Sequence, residues 1–475
     1  GYTAAAVGNH EFDFGPVGPA VMPREPSDDA RGALKVRAGE ARFPLLAANL
    51  VDAATKQPVG WPNVKPSVLV DAAGLKVGII GVMTLRALSA TLSANVKGLS
   101  VAPLAPAIAA QARALRAQGA DVVIVTAHAG GRCTSFDTPA DLSSCEAGAE
   151  ILEVARDLPA SLVDVIVAGH SHAGMAHQAH GIAIIESFSG GRTFGRVDVT
   201  VDRSSRRVTR KRIFPPQDLC AEVDATTRRC DAPAAGGRMP VPAEYEGRVV
   251  SPDPAITAVL TPTLERVRDL KAAGLGVVLD TPITIGTDPE SPLGNLFTDV
   301  LLQAVPGATL AINNTFGGLR ADLAAGPLTY GRLFETFPFD NMIVRVTLTG
   351  AAVERMFVDR LQQGRNLPGI AGLQVRAACA GGALRVDLLL RGGRQVADNE
   401  QLSVVTTDFL ATGGDGIFAI VTPPQGLAVE ETGLLVRDVT ADWLRRRGGR
   451  LREDDLVDRQ NPRWLIPGPV PLQCQ

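Results

Sequence analysis

The segment Val163-Asp164-Val165-Ile166-Val167-Ala168-Gly169-His170-Ser171-His172 decides the fold of the N-terminal part of the chain. Residues 163–168 form a short apolar, β-branched run that is typical of a buried strand. This run leads directly into two histidines, and alternate residues of an extended segment point to the same side. We therefore predict that His170 and His172 face one site beyond the carboxyl end of a strand, where open α/β sheets bind their ligands.

Two further strands and a helix extend this pattern upstream. Residues 75–82 and 121–126 are apolar runs that predict buried strands, and His128 lies just beyond the second run. Between them, residues 107–118 form an Ala-rich segment with helical spacing, which Pro106 precedes and Gly119 follows. This alternation of strands and helix predicts an α/β fold.

All six histidines lie within the first 180 residues, and four of them fall in polar segments that adjoin strand-like runs. In the segment 8–13, GNHEFD, Asn9 offers an amide oxygen and His10 an imidazole, while Asp13 is placed to fix the tautomer of His10. A metal centre is the leading interpretation. The alternative for each histidine alone is a ring satisfied by ordinary hydrogen bonds. The two remaining histidines are predicted to be solvated: His177 and His180.

Length and composition limit the class of protein. A chain of 475 residues exceeds what one hydrophobic core usually serves, so two domains are expected, or three. With 45% hydrophobic and 20% charged residues, the chain is predicted to be globular. The net charge of −3 argues against a nucleic-acid polymer or an anionic membrane as the main partner, because both demand a basic excess. No apolar run reaches the roughly 18 residues of a transmembrane segment, and the sequence leaves the oligomeric state open.

The six cysteines include two close pairs in loop-forming sequence, Cys133 with Cys145 and Cys220 with Cys230. None has the CxxC spacing of a zinc ribbon. We therefore predict disulfides across both short loops, and an oxidising compartment: the periplasm, the cell surface or the secreted fraction. The alternative is six unpaired, buried thiols.

The composition changes beyond the predicted α/β region. Residues 202–250 are rich in Arg, Pro and charged residues and lose periodicity, and residues 253–273 predict a helix. Further strands are predicted at 342–348 and 401–406. These boundaries predict three parts: an N-terminal domain over 1–215, a connector with a linker helix over 216–274, and a second domain over 275–475.

The order of GNHEFD, a strand followed by His128, and GHSH at 169–172 resembles the calcineurin-like metallophosphoesterases, specifically the 5′-nucleotidase and UDP-sugar hydrolase family. Four later segments are similar to the substrate-domain motifs of that family, in the same order. They are Glu290-Ser291-Pro292-Leu293-Gly294-Asn295-Leu296, Gly317-Gly318-Leu319-Arg320, Phe337-Pro338-Phe339-Asp340-Asn341 and Phe409-Leu410-Ala411-Thr412-Gly413-Gly414-Asp415-Gly416. The resemblance therefore spans almost the whole chain.

The resemblance implies a fold and a metal centre. The N-terminal domain is expected to be a metallophosphoesterase β-sandwich flanked by helices, in four α/β/β/α layers, followed by a second, α+β substrate-binding domain. Two divalent metal ions are implied, with Mn, Zn, Co and Mg all open. Asn9, His128 and His170 are expected to bind one ion, and His172 is expected to help bind the other.

The resemblance also implies that His10, oriented by Asp13, stabilises the phosphoryl transition state and assists the leaving group. In the family, an Asp-x-His motif and a Gly-Asp motif precede GNHE and complete the metal site, and neither occurs here. The chain begins at Gly1 within a strand-like run. We therefore expect that an N-terminal piece, including any signal peptide, is missing, and that metal binding and activity of this chain are impaired.

In the second domain, the resemblance implies contacts with a nucleotide. Phe339 and Phe409 are expected to sandwich the nucleobase, in a stacking slot worth about 1–3 kcal/mol per base. Asp415 is expected to accept hydrogen bonds from the ribose hydroxyls, and Arg320 to hold phosphate through its permanently charged fork. Asn314 is a further expected substrate contact.

Two departures from the family concern the substrate. The usual asparagine before the Gly-Gly-x-Arg turn is displaced, since Asn314 is followed by Thr315-Phe316, and Thr287 stands where many relatives have a phosphate-contacting arginine. The leading hypothesis is a two-metal phosphohydrolase acting on nucleoside 5′-monophosphates, with UDP-sugars and 2′,3′-cyclic nucleotides also open. One alternative is a sulfate-releasing thiol hydrolase of sulfur oxidation. The other is a catalytically silent nucleotide-binding surface protein.

Overall fold

The computed structural model describes residues 1–18, 20–227, 229–230, 240–286, 289–364, 366–423 and 426–474. The chain forms two compact units, Gly1–Leu88 with Ala94–Val259, and Ser89–Ser93 with Leu260–Gln475. The division falls inside the helix Pro254–Ala272, which agrees with the helix predicted at 253–273.

A six-stranded sheet forms the centre of the first unit. The inner strands pair in parallel, and an antiparallel strand covers each edge. In spatial order the strands are Gly174–Ala179, Ile182–Ser187, Val165–Val167, Val122–His128, Leu75–Met83 and Ser67–Ala72. Parallel strands are normally buried on both faces, which explains why the three predicted runs are almost free of charge.

Both faces of this sheet are covered. Side chains such as Ile80 and Val82 share a core with the helices Leu104–Ala117 and Glu150–Asp157. Met83, on the opposite face, shares a second core with the helix Gly32–Glu40. A small parallel sheet lies in this second layer, with strands Ala5–Ala6, Leu45–Leu46 and Val64–Lys65.

The two sheets approach closely at Gly81. A Cβ there would clash with Leu46 in the small sheet, so only glycine allows this contact. The order helix, sheet, sheet, helix confirms the predicted four-layer α/β/β/α arrangement of the first domain. Further elements before residue 130 are the short helix Ser93–Val96, the 3-10 turns His10–Phe12 and Ala87–Ser89, and the strand pair Leu50–Asp52 with Leu99–Val101.

The helix predicted at 107–118 is confirmed, but it begins earlier, at Leu104, with Pro106 in its first turn, where backbone N–H groups lack helical partners in any case. One prediction upstream of the linker helix was wrong. The loss of periodicity predicted from 202 onward is contradicted by a long antiparallel hairpin, Thr193–Asp202 with Arg207–Asp218. Its basic residues lie mainly on exposed positions of a sheet that is solvated on one face.

Short strand pairs follow this hairpin: Glu222–Asp224 with Pro240–Pro242, and Glu244–Tyr245 with Arg248–Val249.

The second unit combines sheets and helices, as the α+β prediction requires. Its five-stranded sheet has the order Gly369–Ala371, Leu310–Asn313, Gln401–Thr407, Met342–Thr349 and Val429–Leu435. One three-stranded sheet has the order Gly326–Thr329, Gly274–Leu279 and Gly449–Leu451. A second has the order Ala383–Leu390, Leu373–Ala380 and Trp464–Leu465. The helices are Pro292–Ala304, Thr315–Gly318, Tyr330–Thr336, Gly350–Gln363, Asp408–Ala411 and Val436–Arg447. The strands predicted at 342–348 and 401–406 are confirmed.

Three disulfides cross-link the chain. Cys133–Cys145 and Cys220–Cys230 are the two predicted pairs. Cys379–Cys474, which the sequence did not predict, joins residues 95 positions apart. Of the helices that the structure describes, none has the length and apolar character needed to cross a membrane.

The Cys379–Cys474 bridge is expected to contribute most to stability. It closes a loop of 95 residues, whereas Cys220–Cys230 closes one of 10, and the entropy lost by the unfolded chain grows with loop length. Replacing both cysteines by serine should lower the free energy of unfolding by about 5 kcal/mol for the long loop and about 3 kcal/mol for the short one. Calorimetry of the two double variants measures both losses. A larger loss for Cys220–Cys230 would contradict this account.

Candidate metal centre and nucleoside cleft

Three atoms with lone pairs converge in the first unit. Asn9 Oδ1 lies 2.6 Å from His128 Nε2, and His128 Nε2 lies 2.9 Å from His170 Nδ1. Asn9 is buried, with only 3% of its surface exposed, and both histidines are half-buried. Only one hydrogen atom can lie between the two facing ring nitrogens. Hydrogen bonds among these three residues therefore do not explain why all three atoms lie so close together.

The chain around each of these residues explains how they meet. Val122–His128 and Val165–Val167 are neighbouring parallel strands, so the residues at their carboxyl ends come to the same edge of the sheet. Gly8 permits the approach of Asn9, because a Cβ at position 8 would lie 2.6 Å from His128 Nδ1. The backbone N–H of Gly8 also donates to Glu11 Oε2 at 2.7 Å, which holds the turn that presents Asn9.

The segment with His170 and His172 has an unusual backbone. His170 has φ +76° and His172 has φ +55°, a left-handed conformation that side chains other than glycine rarely adopt. Such strain persists only where the surrounding structure holds it, and it clusters at functional sites.

The electrostatics keep both imidazoles neutral. Burial, with a smaller contribution from the charges of His170, His10 and His172, lowers the pKa of His128 to about 4. Burial also lowers the pKa of His170, and the charges of His172 and His10 act in the same direction, against the effect of Glu150. A neutral imidazole has the free lone pair that a metal ligand needs. The donor set of Asn9, His128 and His170 therefore fits a divalent metal ion.

The other predicted residues of this site lie around these three. His10 Nδ1 is 2.7 Å from Asp13 Oδ2, and His10 is largely exposed, so the predicted orienting contact is present. His172 is exposed and makes none of these ligand contacts among the residues described, but its charge affects the pKa of both His128 and His170.

In the second unit, Asn314 and Asp415 line one cleft of about 440 Å³. Asn314 Nδ2 donates to Asp415 Oδ2 at 2.7 Å, and Arg360 Nη2 donates to the Asp415 carbonyl at 2.7 Å. Asp415 is exposed and has φ +50°, so two side chains hold a strained residue with its carboxylate at the cleft surface. Arg360 was not predicted from sequence, because an arginine in a helix usually lies in solvent.

The two phenylalanines are half-buried and lie in separate surroundings. Phe339 packs edge-on against Phe337 and carries the Arg320 guanidinium 5.1 Å from its ring centre. The ring of Phe409 packs on Gly414, where any Cβ would clash with it. The sandwich of a nucleobase between the two rings remains a prediction. Thr287 lies outside the described residues.

His177 contradicts the prediction of a solvated ring. It lies in the strand Gly174–Ala179 with 1% of its surface exposed, and its Nε2 contacts the Ser135 carbonyl at 3.0 Å. His180 is exposed, as predicted. Sequence reasoning also missed Glu186, a buried carboxyl whose only signal was its place in the apolar strand Ile182–Ser187.

Comparison with known proteins agrees with this architecture. Residues 276–422 match the family described as the 5′-nucleotidase, C-terminal domain. The chain is 25% identical over 354 residues to the endonuclease YhcR of Bacillus subtilis, covering 74% of this chain and 25% of YhcR. It is 24% identical over 462 residues to the cell wall protein Lmo0130 of Listeria monocytogenes, covering 88% of this chain and 53% of that protein. It is 24% identical over 474 residues to the 5′-nucleotidase of Vibrio cholerae, covering 94% and 76%.

The chain thus spans about a quarter of the first relative and half of the second. Among solved structures, the 5′-nucleotidase precursor of Thermus thermophilus superposes with a TM-score of 0.60 at 21% identity, covering 98% of this chain and 83% of that chain. The sulfate thiohydrolase SoxB of Thermus thermophilus superposes with a TM-score of 0.52 at 17% identity, covering 94% and 72%. The resemblance to the 5′-nucleotidase family is therefore confirmed, and the chain contains a 5′-nucleotidase C-terminal domain.

In the metal-free protein, the ring of His128 is expected to titrate near pH 4, against 6.5 for an ordinary histidine. The unfolded chain therefore takes up this proton at a higher pH than the folded one. His128 contributes stability above about pH 6.5 that is lost as the pH falls toward 4. A proton NMR titration of the histidine rings measures the midpoint, with His128→Gln giving the assignment. A midpoint near 6.5 would show that the ring is not desolvated.

Proposed function

We propose that the protein is a metal-dependent phosphohydrolase that releases inorganic phosphate from nucleoside 5′-monophosphates. The observation that carries the proposal is the convergence of Asn9 Oδ1, His128 Nε2 and His170 Nδ1 in the first unit. The 5′-nucleotidase C-terminal domain at 276–422 supports a nucleotide as the substrate.

Asn9, His128 and His170 hold one divalent ion, and His172 contributes to a second. Amide oxygen with imidazole nitrogen suits Mn, Zn or Co, and Mg where more oxygen ligands are added. When bound, the two ions polarise a phosphoryl oxygen and lower the pKa of water so that hydroxide forms near neutral pH.

His10 acts on the phosphoryl group from its exposed position. Asp13 accepts a hydrogen bond from His10 Nδ1 at 2.7 Å, which directs Nε2 away from the protein. As the imidazolium, with protons on both nitrogens, the ring stabilises the charge that develops on the phosphoryl oxygens and gives its Nε2 proton to the departing ribose oxygen. General acid catalysis of this kind contributes about 10²- to 10⁴-fold to a rate.

The second unit binds the nucleoside. Asp415 accepts hydrogen bonds from the ribose hydroxyls, with Asn314 holding its carboxylate in place. Phe339 and Phe409 stack on the nucleobase, and Arg320 contacts phosphate. UDP-sugars and 2′,3′-cyclic nucleotides present the same groups and are further candidate substrates.

We place the protein in the periplasm or at the cell surface. Three disulfides are stable only in an oxidising compartment, and one relative is a cell wall protein. The likeness to the sulfate thiohydrolase shows a shared fold, and the pairing of Asn314 with Asp415 favours a nucleoside over the sulfate-releasing alternative.

Phosphate release from AMP in the presence of Mn²⁺ tests the proposal. His10→Ala should lower kcat by about 10²- to 10⁴-fold, while His180→Asn, which changes an exposed histidine outside the site, should leave kcat unchanged.

Asp415→Ala should raise KM for AMP about 10-fold or more, because it removes a charged hydrogen-bond acceptor.

Two results would contradict the phosphohydrolase. Sulfate release from cysteine S-sulfonate, with none from nucleotides, would favour the thiol hydrolase. Binding of AMP by the full-length protein, without turnover at any metal concentration, would favour the silent binding protein.

A further inference from the structure

Glu186 is a carboxyl group buried between two segments of the candidate metal centre. It has 1% of its surface exposed and lies in the strand Ile182–Ser187 among apolar residues. One neighbouring segment is 129–131, which follows His128. The other is 169–173, which contains His170 and His172.

Glu186 bonds to both segments. Its Oε2 accepts the backbone N–H of Gly131 at 3.2 Å, and its Oε1 lies 2.7 Å from Ser171 Oγ. Ser171 Oγ is in turn 2.9 Å from the Gly131 carbonyl, so the three residues form a closed ring of hydrogen bonds. Gly130 makes room for this ring, because a Cβ there would clash with both Glu186 Oε2 and the Gly169 carbonyl.

The donors and acceptors of this ring indicate where its protons lie. A carbonyl oxygen only accepts, and the serine hydroxyl has one hydrogen. If Ser171 donates to the Gly131 carbonyl, its contact with Glu186 is satisfied only when Glu186 donates to Ser171. All three contacts are therefore satisfied when Glu186 is a neutral carboxylic acid. Burial raises the pKa of Glu186 to about 7, although hydrogen bonds from the Ser171 hydroxyl and from the backbone N–H groups of Gly131, Ser171 and Ala173 act in the opposite direction.

We propose that Glu186 is a positioning residue for the metal centre, which acts through Ser171 and Gly131 to hold the segments that carry His128, His170 and His172. Its metal-related consequence rests on the proposed function. The left-handed backbone of His170 and His172 flanks Ser171 directly, and Glu186 fixes the residue between them. Groups that orient ligands from behind typically change metal affinity by about 10- to 100-fold when removed.

Four single variants, and the double variant Glu186→Ala with Ser171→Ala, test this role. Glu186→Gln keeps a hydrogen-bond donor and a hydrogen-bond acceptor in a side chain of the same shape. Glu186→Ala removes both groups. Ser171→Ala breaks the ring at its other member. Asp164→Asn is the matched control, because Asp164 is a buried carboxylate of the same sheet, bonded to Val123 N and Arg116.

Hydrogen exchange of the metal-free protein, followed by mass spectrometry, is the first measurement. Glu186→Ala and Ser171→Ala should speed exchange at 129–131 and 169–173, and the double variant should add little to either, because the residues act as one unit. Glu186→Gln should retain the slow exchange, and Asp164→Asn should leave these two segments unchanged. Unchanged exchange in Glu186→Ala, or equal loss in Glu186→Gln, would overturn the proposal.

Co²⁺ binding, followed by its visible absorption, is the second measurement. Glu186→Ala should weaken binding about 10- to 100-fold, and Glu186→Gln should restore it. Equal affinity of the wild type and Glu186→Ala would also overturn the proposal. If the full-length wild-type protein binds no Co²⁺, the proposed phosphohydrolase fails, and the exchange pattern alone decides whether Glu186 holds the two segments.

Discussion

Two half-buried imidazole rings whose facing nitrogens lie 2.9 Å apart are the constraint on which the first unit depends. A protonated pair at this distance would be costly, because burial and mutual repulsion both oppose the charge. The protein therefore keeps His128 and His170 neutral, which is the state that offers lone pairs to a metal. Because both rings must stay neutral, the site lowers the stability of the metal-free protein at acidic pH.

The rest of the first unit can be understood as support for this contact. Neighbouring parallel strands bring His128 and His170 to one edge, and Gly8 lets Asn9 approach the His128 ring. Gly81 allows the second sheet to pack closely against the first, and that sheet includes Ala5–Ala6, just before the turn that carries Asn9. In the second unit, too, neighbouring residues hold a candidate site residue in place, since Asn314 and Arg360 form hydrogen bonds to Asp415, which has a left-handed backbone.

Local sequence carried much of this information. The apolar runs ending near His128 and His170 predicted their strands because a buried parallel strand has little room for charge. The order of those strands, however, arises from packing, and Asn9 joins His128 across 119 positions. Family motifs, rather than periodicity, supplied that pairing.

What sequence reasoning missed has a common physical cause. Glu186 and Arg360 are ionisable residues that folding buries beside loops of the candidate sites, and composition gives no sign of such burial. The hairpin 193–218 was hidden because its solvated face is basic, and His177 because a polar neighbourhood in sequence became an apolar one in space. The pairing of Cys379 with Cys474 depends on the docking of the C-terminal segment, which has no local signature.

Anomalous diffraction from crystals soaked in Zn²⁺ tests the central claim most directly. One strong peak is expected within about 2.3 Å of all three atoms, Asn9 Oδ1, His128 Nε2 and His170 Nδ1, as zinc ligands require. Zinc bound only at exposed histidines such as His180, with this position empty at saturating metal, would contradict it.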